Sequence, residues 1–171
     1  MHYLIDLDNT LLDTFFFDED YRVNYYWSQD FKKDFGLSPK VLKDLFCEPF
    51  LSALQITKEL QPYINTFLKK YNIPLTTDEF LEYWLSRDSR VNPSILNWIK
   101  EKHKQGHHFY IASNQPHIRM DYIWEKYKDW NDIFEFIFTS ARMGVAKPDP
   151  KFFNKVQEQL KVPFENIALI D

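Results

Sequence analysis

The sequence predicts an α/β fold, a parallel-sheet core interrupted near its start by a long helical insertion. Three observations predict it. Residues 3–7 form a short, nearly continuous apolar run, the pattern of a strand buried on both faces. Residues 14–93 repeat apolar positions at three-four spacing, the period of helices with one buried face. From Asn92 onward, helix-like and strand-like segments alternate, as a parallel sheet with crossover helices requires.

The first strand runs directly into Asp6-Leu7-Asp8-Asn9-Thr10. In the insertion, Tyr21, Tyr25, Tyr26 and Phe31 mark a helical face that stops at Gly36, and Ser38-Pro39 restarts a helix through Leu42, Leu45 and Phe46. Pro62 suits the first turn of a helix bearing Tyr63, Ile64, Phe67, Leu68 and Tyr71; Phe80, Leu81, Trp84 and Leu85 mark another after Thr77. No strand alternation is legible in this stretch. Its aromatic residues occur at about the same density as elsewhere, so core packing accounts for them.

Asn92-Pro93 reads as a cap and a first-turn proline, with Ile95, Leu96, Trp98 and Ile99 inward and Gly106 closing the helix. A strand over residues 108–112 ends at Ser113-Asn114-Gln115. A helix through Ile118, Tyr122, Ile123 and Trp124 leads to a strand over 136–138. Beyond Gly144 and Lys147-Pro148-Asp149-Pro150, a helix points Phe152, Phe153, Val156 and Leu160 inward, and a fourth strand, 167–170, ends at Asp171. The three glycines, 36, 106 and 144, all fall at segment ends, so none forms a phosphate-cradling Gly-rich loop.

Composition narrows the functional classes. A chain of 171 residues with 44% hydrophobic content buries roughly two-thirds of its unfolded surface. The net charge is -4 and the basic residues are scattered, so nucleic acid is not an expected partner. No run of about 18 apolar residues occurs and the first acid comes at Asp6, so neither membrane spanning nor a secretory leader is expected, and the cytoplasm is the expected location. The one cysteine, Cys47, reads as an inert small hydrophobe, and the five histidines lack metal-ligand spacing, with His117 alone near a strand end. The oligomeric state is left open.

Function is most legible in Asp6 and Asp8. Two carboxylates at the end of a buried strand are electrostatically costly unless a cation or phosphate chemistry uses them. Ser113, Lys147 and Asp171 also lie at or just after strand ends, and open α/β sheets build their sites at the carboxyl ends of strands. Taken singly, Ser113 is a helix cap, Lys147 a surface residue and Asp171 a solvated terminus; together with the two acids they form a constellation.

That constellation resembles the haloacid dehalogenase superfamily from end to end. Asp6-Leu7-Asp8-Asn9-Thr10 is similar to its first motif, the strand ending in Ser113-Asn114 to its second, Lys147-Pro148-Asp149-Pro150 to its third, and residues 167–171 to the start of its fourth. The resemblance implies a Rossmann-like core over residues 1–13 and 94–171, with residues 14–93 as a helical cap. Asp6 would be the nucleophile that forms an aspartyl-phosphate, and Asp8 the general acid and base. Ser113, Asn114 and Lys147 would hold the phosphoryl group, and Asp6, the Asp8 carbonyl and Asp171 would bind Mg²⁺. Members that dehalogenate carry a non-acidic residue where this chain has Asp8, so the resemblance implies a phosphatase or phosphomutase for a small phosphorylated metabolite.

At the carboxyl end the pattern departs from the family, whose members supply a further acid, a helix and commonly a strand after this point. The sequence is therefore expected to be truncated, with weak Mg²⁺ binding. Two alternatives are a non-catalytic interaction domain on a truncated scaffold and a receiver-like phospho-acceptor; the latter would need no long insertion.

Overall fold

A computed structural model describes residues 1–17, 19, 23–55 and 60–171. Four parallel strands form its sheet, in the order β7 (Phe134–Thr139), β6 (His108–Ser113), β1 (His2–Ile5), β8 (Ile167–Ile170). Two short strands, β2 (Leu12–Asp13) and β5 (Arg90–Val91), pair antiparallel where the chain leaves and rejoins the sheet, and β3 (Phe15–Phe17) pairs with β4 (Val23–Tyr25). The helices are α1 (Phe31–Phe35), α2 (Phe50–Gln55), α3 (Gln61–Lys70), α4 (Thr77–Arg87), α5 (Pro93–Lys104), α6 (His117–Lys126), α7 (Ser140–Met143) and α8 (Pro150–Leu160). Among the described residues, no helix is long and apolar enough to cross a membrane.

Side chains alternate across the sheet with period two, so each face has its own core. Ile5, Phe109 and Ile111 pack with Ile99 of α5 and with Met120 and Ile123 of α6. Leu4, Tyr110 and Ala112 turn the other way, onto Phe152 and Val156 of α8. A third cluster, built from Trp27, Phe31, Ile64, Phe67, Phe80 and Trp84 among others, belongs to the inserted lobe. Local signals fix the helix starts: Asn92 accepts from the Ser94 and Ile95 amides ahead of Pro93, Asp149 accepts from the Lys151 amide, and Thr76 and Glu79 form a capping box on α4.

Three expectations need correction. Residues 14–93 are not wholly helical, because Phe15–Phe17 and Val23–Tyr25 pair as strands; aromatic and β-branched side chains suit a half-buried pleated ribbon, and Phe15 lies opposite Tyr25. Tyr21, assigned to that helical face, lies outside the described residues. Ser38-Pro39 starts a 3-10 segment, Pro39–Asp44, rather than an α-helix, with the Ser38 side chain accepting from the Lys40 amide at its start; such short segments serve as connectors. Cys47 is exposed, its thiol directed at the Asp44 carbonyl.

Register decides what meets at the carboxyl rim. Ile5 lies beside Ile111 on one side and Ile170 on the other, so the residues that follow, Asp6, Ala112-Ser113 and Asp171, emerge side by side. β8 is an outer strand, with Leu169 40% exposed.

Candidate active site

The turn after β1 sends its two acids in different directions. Asp6 is still tied to the sheet, its amide donating to the Ile170 carbonyl at 2.9 Å. The chain then closes on itself: the Asn9 amide donates to the Leu12 carbonyl at 2.8 Å, and the Leu12 amide to the Leu7 carbonyl at 2.8 Å. Asn9 takes a φ of 55°, a left-handed conformation that asparagine tolerates better than most residues. Its side chain accepts from the Thr14 and Phe15 amides at 3.2 and 3.0 Å and donates to the Phe15 carbonyl at 2.9 Å.

Asp6, Asp8, Ser113, Asn114, Lys147 and Asp171 line one cavity of about 310 Å³ at the sheet's carboxyl rim. The Lys147 side chain is 8% exposed, and its ammonium is 2.7 Å from Asp171 Oδ2 and 3.3 Å from Asp6 Oδ1. Asn114 fixes the lysine's backbone, donating from Nδ2 to the Lys147 carbonyl at 2.9 Å and accepting from the Lys147 amide at 2.8 Å. Its side chain is thereby used up in positioning the lysine. Burial pushes the Asp6 carboxyl above its ordinary 3.8; the Ser113 hydroxyl, Lys147 and the Leu7 amide only partly offset that, and Asp171 adds to it.

Asp8 belongs to a second set of contacts that the sequence did not reveal. Arg119 donates to both of its oxygens, Nη2 to Oδ1 at 2.7 Å and Nη1 to Oδ2 at 3.1 Å, and Gln115 Nε2 donates to Oδ2 at 2.7 Å. The same guanidinium donates from Nε to Asp88 Oδ2 at 2.8 Å. Arg119 and Asp88 are each 5% exposed. Burial alone would favour a neutral guanidine, but Asp8 and Asp88 outweigh it and hold Arg119 charged. The one local signal was an arginine on the same helical face as Met120 and Ile123; Asp88 lies far away in sequence and gave none. His117 is exposed and lines neither this cavity nor the one beside it.

The donor set suits a hard divalent cation. Asp6 and Asp171 bring two carboxylates to one cavity, and Mg²⁺ commonly binds one or two carboxylates and keeps several waters. Asp8's carboxylate is taken by Arg119, so its side chain is not counted. No cluster of three or more His, Cys, Asp or Glu side chains suited to a metal occurs among the described residues.

A sequence model of haloacid dehalogenase-like hydrolases matches residues 1–171. The chain belongs to this family. Solved haloacid dehalogenase-like structures share the fold: a family enzyme from Bacteroides thetaiotaomicron, in complex with magnesium and inorganic phosphate, is 19% identical, with a TM-score of 0.70, over 99% of this chain and 83% of that one. A predicted family hydrolase from Porphyromonas gingivalis is 14% identical, with a TM-score of 0.67, over 99% and 80%. In sequence, a sesquiterpene phosphatase of Aspergillus oryzae is 28% identical over 82 residues, 48% of this chain and 41% of that protein. The similarity therefore spans less than half the length of that curated relative.

Proposed function

We propose that this haloacid dehalogenase-like chain is a Mg²⁺-dependent phosphatase that hydrolyses a small phosphomonoester through an aspartyl-phosphate on Asp6. One observation carries the proposal: two carboxylates with different partners, Asp6 facing Lys147 and Ser113 and Asp8 facing Arg119 and Gln115, border one cavity. The phosphatase among its relatives and the magnesium and phosphate complex of the Bacteroides enzyme support it.

Asp6 attacks phosphorus, forming the P–O bond to its carboxylate as the bond to the leaving oxygen breaks, and Asp8 delivers a proton to that oxygen. Water then attacks the acyl phosphate, giving its proton to Asp8 as the Asp6–phosphorus bond breaks. Both Asp8 oxygens accept from Arg119 or Gln115, so proton transfer requires one of those contacts to open. Lys147 and the Ser113 hydroxyl stabilise the charge that gathers where two anions meet, and Asn114 contributes through its backbone amide. Mg²⁺, bound by Asp6, Asp171 and the Asp8 carbonyl, would supply charge neutralisation and orient the phosphoryl group. The lobe within residues 14–93 acts as the cap.

The test is phosphate release from a panel of phosphomonoesters with Mg²⁺, with EDTA, and in Lys147→Met. Release should vanish in EDTA and fall about 10²–10³-fold in the variant, as for loss of one charge-stabilising donor. Turnover indifferent to both would refute the proposal.

A further inference from the structure

A second cavity, of about 300 Å³, adjoins the first and shares Asp8 and Asn114 with it. Phe15, Tyr25, Trp27, Phe46, Leu51 and Trp84 give one side of it an aromatic and aliphatic lining. Some of this apolar surface faces solvent: Leu51 is 37% exposed, and Val23, also on the wall, 48%.

Apart from the Tyr25 hydroxyl and the indole N–H groups of Trp27 and Trp84, the polar side chains of this second cavity are committed to one another or to the chain. Arg119 is shared by Asp8, Asp88 and Gln115, Gln115 also donates to Ser113, Asn114 holds the Lys147 backbone, and Thr14 donates to Asn9. The one guanidinium on the floor is already paired with Asp88 and Asp8, so a second anionic group would find no free cation there and would face the Asp88 carboxylate. A sugar's hydroxyls would compete with partners already in place, and each hydroxyl left unpaired costs affinity. An aryl or alkyl group, by contrast, gains aromatic contact and buries apolar surface.

If phosphate occupies the cavity at Asp6, an ester's leaving oxygen falls on the Asp8 side and its carbon skeleton points into the second cavity. On the phosphatase function proposed above, we infer that this second cavity is the leaving-group pocket and selects monophosphates of apolar, uncharged alcohols or phenols over sugar phosphates and substrates with a second acid.

Two measurements on the full chain with Mg²⁺ test this. Benzyl phosphate should exceed glucose 6-phosphate and phosphoglycolate in kcat/KM by at least about tenfold, the discrimination an apolar pocket gives for one or two added carbons. Quenching of Trp27 and Trp84 fluorescence should show benzylphosphonate binding at least about tenfold tighter than phosphonoacetate, and Leu51→Asp should erase most of that preference. If no ester turns over but benzylphosphonate binds preferentially, the phosphatase function falls and the pocket stands. Turnover or binding that favours the hydroxylated or dianionic compounds, or that ranks all equally, overturns the pocket.

Discussion

Asp6→Asn is expected to abolish phosphate release and, in metal-free buffer at neutral pH, to raise the melting temperature. The loss follows from chemistry: an amide in place of the carboxylate cannot form the acyl phosphate, and removal of a nucleophile costs at least about 10³-fold. The gain in stability follows from burial. Folding lifts the Asp6 carboxyl above its ordinary 3.8, so the folded chain holds the proton more tightly than the unfolded one. Stability therefore falls as pH rises from the ordinary value through the raised one, and above that window the charged side chain destabilises the fold in full. Asparagine carries no charge to bury and removes this pH dependence, with an expected gain of a few degrees. Thermal melts from pH 4 to 8 should converge at the acid end and diverge toward neutrality. An unchanged melting temperature at pH 8, or a lowered one, would show that Lys147 and Ser113 already compensate the charge. Added Mg²⁺ should raise the wild-type melting temperature more than that of the variant, because only the wild type offers the Asp6 carboxylate.

Arg119→Met is expected to cause the largest loss of stability among the polar residues of the site. The variant strands Asp88, which is 5% exposed, and deprives Asp8 of its main partner. Breaking a buried ion pair from one side costs about 3–5 kcal/mol, because the remaining charge stays buried without compensation. For a chain of this size that is roughly a 10 °C fall in melting temperature. Adding Asp88→Leu to Arg119→Met should recover part of the loss, since the second change removes the stranded charge, and the double-mutant cycle measures the coupling. A single variant that melts within a degree or two of wild type would mean that Arg119 does not hold these acids.

What sequence could and could not reveal follows from the range of the contacts. β1, β6, β7 and β8 are apolar runs bounded by turn residues, so four strands were visible, and Asp6, Asp8, Ser113 and Asp171 could be singled out because each lies at or just past a strand end; Lys147 lies beyond α7, in the loop before α8, and was marked by its Lys-Pro-Asp-Pro motif. The β3–β4 ribbon was missed because strands of three residues are too short to separate a period of two from one of 3.6. Arg119 and Asp88 were missed for another reason. Their ion pair joins the first turn of α6 to the residue capping α4, and Asp8 lies further still along the chain, a closure only tertiary structure creates. Asn114 was singled out for the backbone N–H groups near it; what sequence did not reveal is that its side chain grips the Lys147 backbone, a contact between residues 33 positions apart.

The small ladder between β2 and β5 has a consequence for how such a chain can change over generations. Leu12 lies opposite Val91 and Asp13 opposite Arg90, and the Asn92 amide donates to the Leu11 carbonyl at 2.9 Å, so the points of departure and return are fastened together. To the sheet, everything between them is a hairpin loop whose ends are already joined. Lengthening such a loop is thermodynamically mild, about 0.6 kcal/mol for each doubling. The segment between Asp13 and Arg90 is therefore free to be enlarged, trimmed or exchanged while the rim that carries Asp6, Ser113 and Lys147 keeps its shape. Asp88, just inside that segment, is the part of the bargain a replacement would have to honour, because Arg119 waits for it on the other side.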